Sequence, residues 1–257
     1  MHWARGAGIL MSGNNDPYRH HPEIRGKIAD PLTSRYRDMD IQVMDERMKA
    51  LGFPDTWRRS DAEREQCRLA TLAGRQDSDL WLFGYGSLIW DPGICFDEVR
   101  IGRLSGYHRR FCLRSELGRG SPERPGLMVG LDQGGQCESI LFRIPKNVLT
   151  EESRRIWQRE MLRASSYVAR FVPVQTAQGE IEALTFIIDP DSENYMCDIK
   201  PEEAAQFVAT GSGIWGSSLE YVENLANHLE AFGIRDDTVC TLLERSRQLR
   251  QAGESLS

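Results

Sequence analysis

Residues 80–90, which read Leu-Trp-Leu-Phe-Gly-Tyr-Gly-Ser-Leu-Ile-Trp, constrain the fold of this chain more than any other stretch. An apolar run that is rich in aromatics and breaks into glycines is typical of a buried strand that enters a tight loop. Two glycines allow a positive φ and leave room for a ligand to approach the backbone. Amide groups that converge in such a loop can hold a carboxylate or a developing oxyanion. The alternative is a strand followed by an ordinary turn.

The glycines of this loop match none of the common nucleotide or nucleophile motifs. The dinucleotide pattern G-x-G-x-x-G fails because Ile89 stands where the third glycine would be. The nucleophile elbow G-x-S-x-G fails because Ser87 comes one position too late, and the lysine of a P-loop is missing. A formal G-x-G-x-x-G occurs at residues 211–216, but the pattern before it predicts a helix, so we interpret it as a helix-to-helix connection.

Composition excludes several classes of function. The chain has 257 residues, enough for one large domain or two small ones, and a net charge of −6 argues against nucleic acids and anionic membranes as main partners. No apolar run approaches the length of a membrane span, and the N-terminus lacks the apolar region of a signal peptide. Six scattered cysteines and five histidines form no C-x-x-C or H-E-x-x-H pattern. We therefore expect a cytoplasmic protein with reduced cysteines and no metal site.

Residues 1–79 are predicted to form an N-terminal extension. The first 37 residues are polar and aperiodic, which favours a loose tail or an arm on the domain. Apolar residues at helical spacing predict a helix over 40–51, with Asp40 as its cap. Ser60 and Glu63 form a capping box for a second helix that ends near residue 73. We expect a helical hairpin that packs over the main domain or contacts another subunit.

Residues 80–257 are predicted to form the main domain, with strands first and helices last. Strands are expected at 80–84, 99–107, 110–113, 127–131, 139–144, 167–174 and 181–188, and helices at 148–163, 201–209, 217–233 and 237–251. Residues 115–126 form a long loop with three glycines and two prolines, and long loops in compact domains are often functional. This order indicates an α+β domain on a mostly antiparallel, barrel-like sheet.

Glu160, near the end of the predicted helix 148–163, is a candidate general base. Trp157, Met161 and Tyr167 surround it in sequence. Desolvation by such groups raises the pKa of a carboxyl towards the value that a base needs near neutral pH, whereas Arg159 and Arg163 would lower it. The alternative is a solvated glutamate in a local ion pair.

Several ordered motifs make the sequence similar to a known family. It resembles the ChaC-like, or cation-transport-regulator-like, γ-glutamylcyclotransferases that act on glutathione. The matching motifs cover roughly 80–235 and occur at 83–93, 106–113, 119–126, 159–161, 194–195 and 219–225. The resemblance implies a γ-glutamylcyclotransferase-like α+β fold, a mixed, mostly antiparallel barrel with flanking helices. It also implies cytosolic cleavage of glutathione to 5-oxoproline and cysteinylglycine without metal or cofactor.

The resemblance also assigns roles to individual residues. The family's catalytic carboxylate falls on Glu160, and its substrate-cradling loop on Tyr85, Gly86, Ser87 and Leu88. Arg119 aligns with an arginine that we assign to the glycine end of the substrate, and Tyr195 with a tyrosine that lines the pocket. The sequence departs from the family at 162–167, where a glycine often precedes the tyrosine.

The proposed chemistry needs few protein groups. The α-amine of the γ-glutamyl group attacks its own γ-carbonyl, so the substrate supplies the nucleophile and Glu160 supplies the base. Two alternatives stay open at this point. The enzyme could act on other γ-glutamyl amines or amino acids, or the chain could be a non-catalytic γ-glutamyl-binding or regulatory module.

Overall fold

Five strands close into a barrel in the order β1-β3-β2-β4-β5, with a further β3–β5 pairing. A computed structural model describes residues 16–37, 39–163 and 166–254. The strands are β1 (Leu80–Gly84), β2 (Glu98–Ser115), β3 (Gly126–Ile144), β4 (Tyr167–Thr176) and β5 (Gly179–Ile188). Most pairs are antiparallel, but β5 runs parallel to β1 and to β3. The prediction of a mixed, mostly antiparallel barrel is thereby confirmed.

Strands β2 and β3 form one long hairpin, and the prediction of two short strands for each was wrong. Residues 132–138 suggested a turn because they are polar and contain Gly134 and Gly135, both of which have positive φ. The ladder nevertheless continues through them, with register shifts between Ser105 and Tyr107 and between Phe111 and Leu113. Such bulges bend a strand without ending its pairing, which allows a small barrel to curve.

The main hydrophobic core includes side chains from several barrel strands, and β1 contributes to it along its length. Leu82 and Phe83, adjacent residues that point to opposite faces of β1, are both fully buried. Phe142 of β3 and Leu184 of β5 are fully buried as well. Each such side chain contributes about 1.5–3 kcal/mol relative to an exposed position. An uninterrupted apolar run therefore forms β1 because both of its faces are covered.

Over the described ranges, six α-helices flank the barrel. They are α1 (Ile41–Ala50), α2 (Asp61–Thr71), α3 (Leu149–Glu160), α4 (Pro201–Thr210), α5 (Ser218–Ala231) and α6 (Asp237–Glu254). A two-stranded ribbon, β6 (Ser212–Gly213) with β7 (Gly216–Ser217), joins α4 to α5. The glycine motif at 211–216 is thus a helix-to-helix connection, as predicted. In the described part of the chain, none of the helices has the length and apolar character needed to cross a membrane.

The N-terminal extension contains the two predicted helices, and the second of them packs over the main domain, but the two do not form the expected close hairpin. Asp40 caps α1 by accepting from the amides of Gln42 and Val43, and Ser60 with Glu63 forms the expected capping box. Instead of forming a simple hairpin with α1, α2 packs against α3 of the main domain. A hydrogen bond contributes to this packing, because Arg68 of α2 donates to Ser153 of α3 at 3.0 Å.

The segment before α1 lies as an arm on the barrel. The amide of Val99 donates to the Pro17 carbonyl at 2.9 Å, and that of Ala29 donates to the Trp90 carbonyl at 2.8 Å. The fully buried Glu98 pairs with Arg100 at 2.6 Å and also with Arg19 of the arm. The predicted arm is therefore present over residues 16–37, while the earlier part of that prediction lies outside the described residues.

Candidate active site

Glu160 is the last residue of α3 and lies in a cleft of about 100 Å³. Its side chain is only 16% exposed, and burial raises the pKa of the carboxyl, while the adjacent guanidinium of Arg159 lowers it. Arg159 Nε lies 3.1 Å from Glu160 Oε1. The carboxylate is therefore neither solvated nor in an i,i+3 ion pair. Its raised pKa brings the free energies of its protonated and deprotonated forms closer together near neutral pH.

The negative charge of Glu160 acts on the hydroxyl groups of three tyrosines. Burial raises the pKa of Tyr85, Tyr167 and Tyr221, and the charge of Glu160 adds to the rise for each of them. Tyr85 Oη donates to the carbonyl of Phe186 at 2.7 Å. All three phenols are therefore neutral at physiological pH and can act as hydrogen-bond donors but not as bases.

The glycine loop contacts this cluster through Gly86. A Cβ added at Gly86 would lie 3.0 Å from both Tyr221 Oη and Val129 Cγ1. Neither glycine uses the positive φ that its lack of a side chain allows, because Gly86 has φ −118° and Gly84 is absent from the positive-φ glycines of the described chain. The glycine is required by close packing and not by a left-handed backbone.

A short 3-10 helix, Ser87–Ile89, follows Gly86. Its first intrahelical bond runs from the Ile89 amide to the Gly86 carbonyl at 3.0 Å. The amides of Ser87 and Leu88 precede that bond, so they have no partner within the helix. Leu88 itself is buried, with a side chain that belongs to the main core. The backbone of this loop, more than its side chains, is left to interact with a ligand.

Arg159 links the loop to Glu160, a role that the sequence analysis missed. Its Nη2 donates to Ser87 Oγ at 2.7 Å, its Nη1 donates to the carbonyl of Asp91, and its guanidinium lies 3.7 Å from the centre of the Tyr36 ring. One planar side chain with five donors can make these contacts together. Its position next to Glu160 in sequence was the only local signal.

Arg119 is buried near this cluster but does not line the cleft. Its Nη1 donates to Glu220 Oε2 at 3.2 Å, and its guanidinium lies 5.7 Å from the centre of the Tyr221 ring. Arg119 forms no ion pair with its neighbours in sequence, Glu116 and Glu123, among the described residues. The amide of Glu220 donates to Ser217 Oγ at the start of α5, while its carboxylate contacts Arg119.

Tyr195 forms an isolated antiparallel bridge with Leu113 of β2. Its hydroxyl donates to Asp132 Oδ2 at 2.9 Å, and burial together with this carboxylate raises the pKa of Tyr195 to about 12. The neighbouring Asn194, and not Tyr195, is among the residues that line the cleft. That Tyr195 lines the substrate pocket stays a prediction.

Two tryptophans wall the cleft and were not predicted. Trp57 belongs to the N-terminal extension, where its indole donates to Asp45 at 2.9 Å, and Trp215 lies between β6 and β7. A Cβ on Gly118 would approach Trp215 to 2.6 Å, so that glycine allows the ring to lie against the long loop. Each tryptophan reaches the cleft through contacts between residues that are distant in sequence. No local sequence pattern predicts such contacts.

No group of three or more histidine, cysteine, aspartate or glutamate side chains suited to a metal ion occurs in the described ranges. The expectation of a metal-free, cofactor-free site stays a prediction.

Comparisons with known proteins identify relatives of this chain. A sequence model of the ChaC-like protein family matches residues 80–249. The glutathione-specific γ-glutamylcyclotransferase of Escherichia coli K12 is 35% identical over 192 residues, which cover 74% of this chain and 83% of that protein. Glutathione-specific γ-glutamylcyclotransferase 1 of Danio rerio is 33% identical over 163 residues, covering 62% and 82% of the two chains.

A solved structure shares the fold. The crystal structure of a γ-glutamyl cyclotransferase specific to glutathione from yeast superposes with a TM-score of 0.62 at 21% identity. The match covers 67% of this chain and 97% of the yeast chain.

Proposed function

This chain belongs to the ChaC-like protein family, and we propose that it cleaves glutathione to 5-oxoproline and cysteinylglycine, with Glu160 as general base and acid. Two relatives, from Escherichia coli and Danio rerio, are named for glutathione as the substrate. The observation that carries the catalytic assignment is a largely buried carboxylate of raised pKa, Glu160, which lines a cleft and is linked to the glycine loop through Arg159.

One protein side chain is enough for the proton transfers of this reaction. The α-amine of the γ-glutamyl group forms a C–N bond to its own γ-carbonyl carbon, and the γ-amide C–N bond to cysteine breaks. Glu160 takes the proton that the attacking amine loses and gives it to the leaving cysteine amine. No serine or cysteine nucleophile is needed, because the nucleophile is part of the substrate.

The loop of Tyr85, Gly86, Ser87 and Leu88 is proposed to hold the γ-glutamyl group. The amides of Ser87 and Leu88, which have no partner within the 3-10 helix, can stabilise the oxyanion that forms on the γ-oxygen, an effect of about 3–4 kcal/mol per well-placed donor. Fixing the substrate in its curled conformation can lower the barrier further, on the scale of about 7–11 kcal/mol for ideal intramolecular reactions. Arg159 holds both Ser87 and Glu160, so it fixes the loop and the base relative to each other.

The cytoplasmic location is part of this proposal. All six cysteines lie within the described residues and are free thiols. Free thiols are typical of a reducing compartment, in which glutathione itself is kept reduced.

Replacement of Glu160 tests the assignment. Glu160→Gln keeps the size and polarity of the side chain but cannot accept the proton. We expect kcat to fall by about 10²–10⁴-fold, the usual contribution of general-base catalysis, with circular dichroism unchanged. A matched control is Glu151→Gln on the same helix, whose side chain is 64% exposed and should be dispensable. Activity of Glu160→Gln within a few-fold of wild type would remove Glu160 from the mechanism.

A further inference from the structure

Three arginines line the cleft that contains Glu160, and they differ in their partners. Arg114 pairs with Glu116 at 2.7 Å. Arg159 is held by Ser87, by the Asp91 carbonyl and by Glu160 itself. For the guanidinium of Arg163, by contrast, no hydrogen bond or ion pair is formed with any of the residues 16–37, 39–163 and 166–254.

The surroundings of Arg163 are poorly suited to an isolated charge. The residue as a whole is exposed, and it lines a cleft that also has Trp57, Leu117, Leu162 and Trp215 in its walls. These walls desolvate the guanidinium and lower its pKa, and the carboxylate of Glu116 only partly opposes the effect. Arginine stays protonated under such conditions, so the side chain presents a charge that would gain from a carboxylate.

The backbone that carries Arg163 is fixed by the N-terminal extension. The amide of Arg59 donates to the Leu162 carbonyl at 2.9 Å, and Leu162 packs in a small core with Trp57 and Leu117. Leu162, the residue before Arg163, is therefore anchored to the N-terminal extension and to the long loop. An anchored backbone reduces the conformational freedom that is lost when a neighbouring side chain binds a ligand.

We propose that Arg163 binds the glycine carboxylate of glutathione and so selects substrates that carry a second carboxylate beyond the scissile amide. The proposal rests on the proposed function and extends it to specificity. When the γ-carbonyl lies beside Glu160, the leaving dipeptide must extend along the cleft, and two extended residues span about 7 Å. Arg163 follows Glu160 by three residues, a separation of at most about 10 Å along the chain.

Arg119, which the family resemblance assigns to this role, is the rival candidate. It is buried, it does not line the cleft, and its guanidinium already pairs with Glu220 at 3.2 Å. A carboxylate that bound there would have to compete with an existing partner. Arg163 requires no such exchange.

The test compares glutathione with its C-terminal amide, γ-glutamylcysteinylglycinamide, which lacks only the glycine charge. We expect wild-type protein to show a KM about 10- to 100-fold higher for the amide than for glutathione, the value of one charge-assisted bond. Arg163→Gln should raise KM for glutathione to the level of the amide and leave KM for the amide unchanged. kcat should change little, because the contact is equal in the ground and transition states.

Three further variants complete the test. Arg163→Lys should restore part of the preference for glutathione, whereas Arg114→Gln and Arg119→Gln should leave the preference intact. The inference is overturned if Arg163→Gln still prefers glutathione, if wild type does not distinguish the two peptides, or if Arg119→Gln abolishes the preference instead. Wild-type protein that cleaves neither peptide would overturn the proposed function and the inference together.

Discussion

Substitution of Gly86 tests whether the backbone of the glycine loop, and not its hydroxyl, is the main element that binds substrate. Carbon atoms in contact normally lie about 3.5–4.0 Å apart. A Cβ at Gly86 would lie 3.0 Å from Val129 Cγ1 and 3.0 Å from Tyr221 Oη. Either the loop or these two neighbours must therefore move by a few tenths of an ångström, even for alanine.

The size of the effect follows from this crowding. Overpacking by one methyl group typically costs about 1–3 kcal/mol, so Gly86→Ala should reduce kcat/KM by about 5- to 150-fold if the loop yields. Valine adds two further methyl groups at the same place, so Gly86→Val should abolish turnover and 5-oxoproline binding together. Ser87→Ala removes only the acceptor for Arg159 and should cost about 1–3 kcal/mol.

The assay measures 5-oxoproline release and, separately, 5-oxoproline binding by calorimetry. Gly253→Val is the control, because an added Cβ at Gly253 meets nothing within 4 Å. Thermal unfolding of each variant separates a local effect from loss of the fold. If Ser87→Ala proves more damaging than Gly86→Val, the hydroxyl is the main contact and this account of the loop is refuted.

Three further predictions concern the base, metal independence and the N-terminal extension. Because Arg159 lowers the pKa of Glu160, Arg159→Met should move the acidic limb of kcat/KM for glutathione to higher pH, and an unshifted limb would contradict this assignment. Purified protein should keep full activity in EDTA, whereas inactivation that one added metal reverses would refute the metal-free site. Glu152 is 3% exposed and pairs with Arg37 of the extension at 2.9 Å, so Glu152→Ala should lower the free energy of unfolding in urea by about 3–5 kcal/mol; a loss below about 1 kcal/mol would show that this pair does not secure the extension.

The sequence predicted those parts of the fold that depend on local patterns. Capping residues Asp40 and Ser60 marked the starts of α1 and α2, and the apolar run at 80–84 marked β1. The family motifs led to the barrel, which the structure confirms. Glu160 was singled out by its aromatic neighbours in sequence, and its burial agrees with that reasoning.

Features that depend on contacts between distant residues could not be predicted. The continuity of β3 was missed because its polar, glycine-rich centre is typical of a turn, and only its pairing with β2 keeps it extended. Trp57 lines the cleft because α1 and the segment after it pack on the main domain, 103 residues before Glu160. The pairing of Arg119 with Glu220 joins positions 101 residues apart. Such contacts are fixed by tertiary packing, which leaves no periodic signal in the sequence.

The central claim is that the γ-glutamyl group leaves by cyclisation on its own amine, and the products formed by wild-type protein test it most directly. Purified protein is incubated with glutathione, and 5-oxoproline, cysteinylglycine, glutamate and glycine are quantified together by mass spectrometry. Intramolecular attack predicts 5-oxoproline and cysteinylglycine in equal amounts, without free glutamate. Release of glutamate in place of 5-oxoproline would show hydrolysis by water and contradict the account, as would glutathione that stays intact.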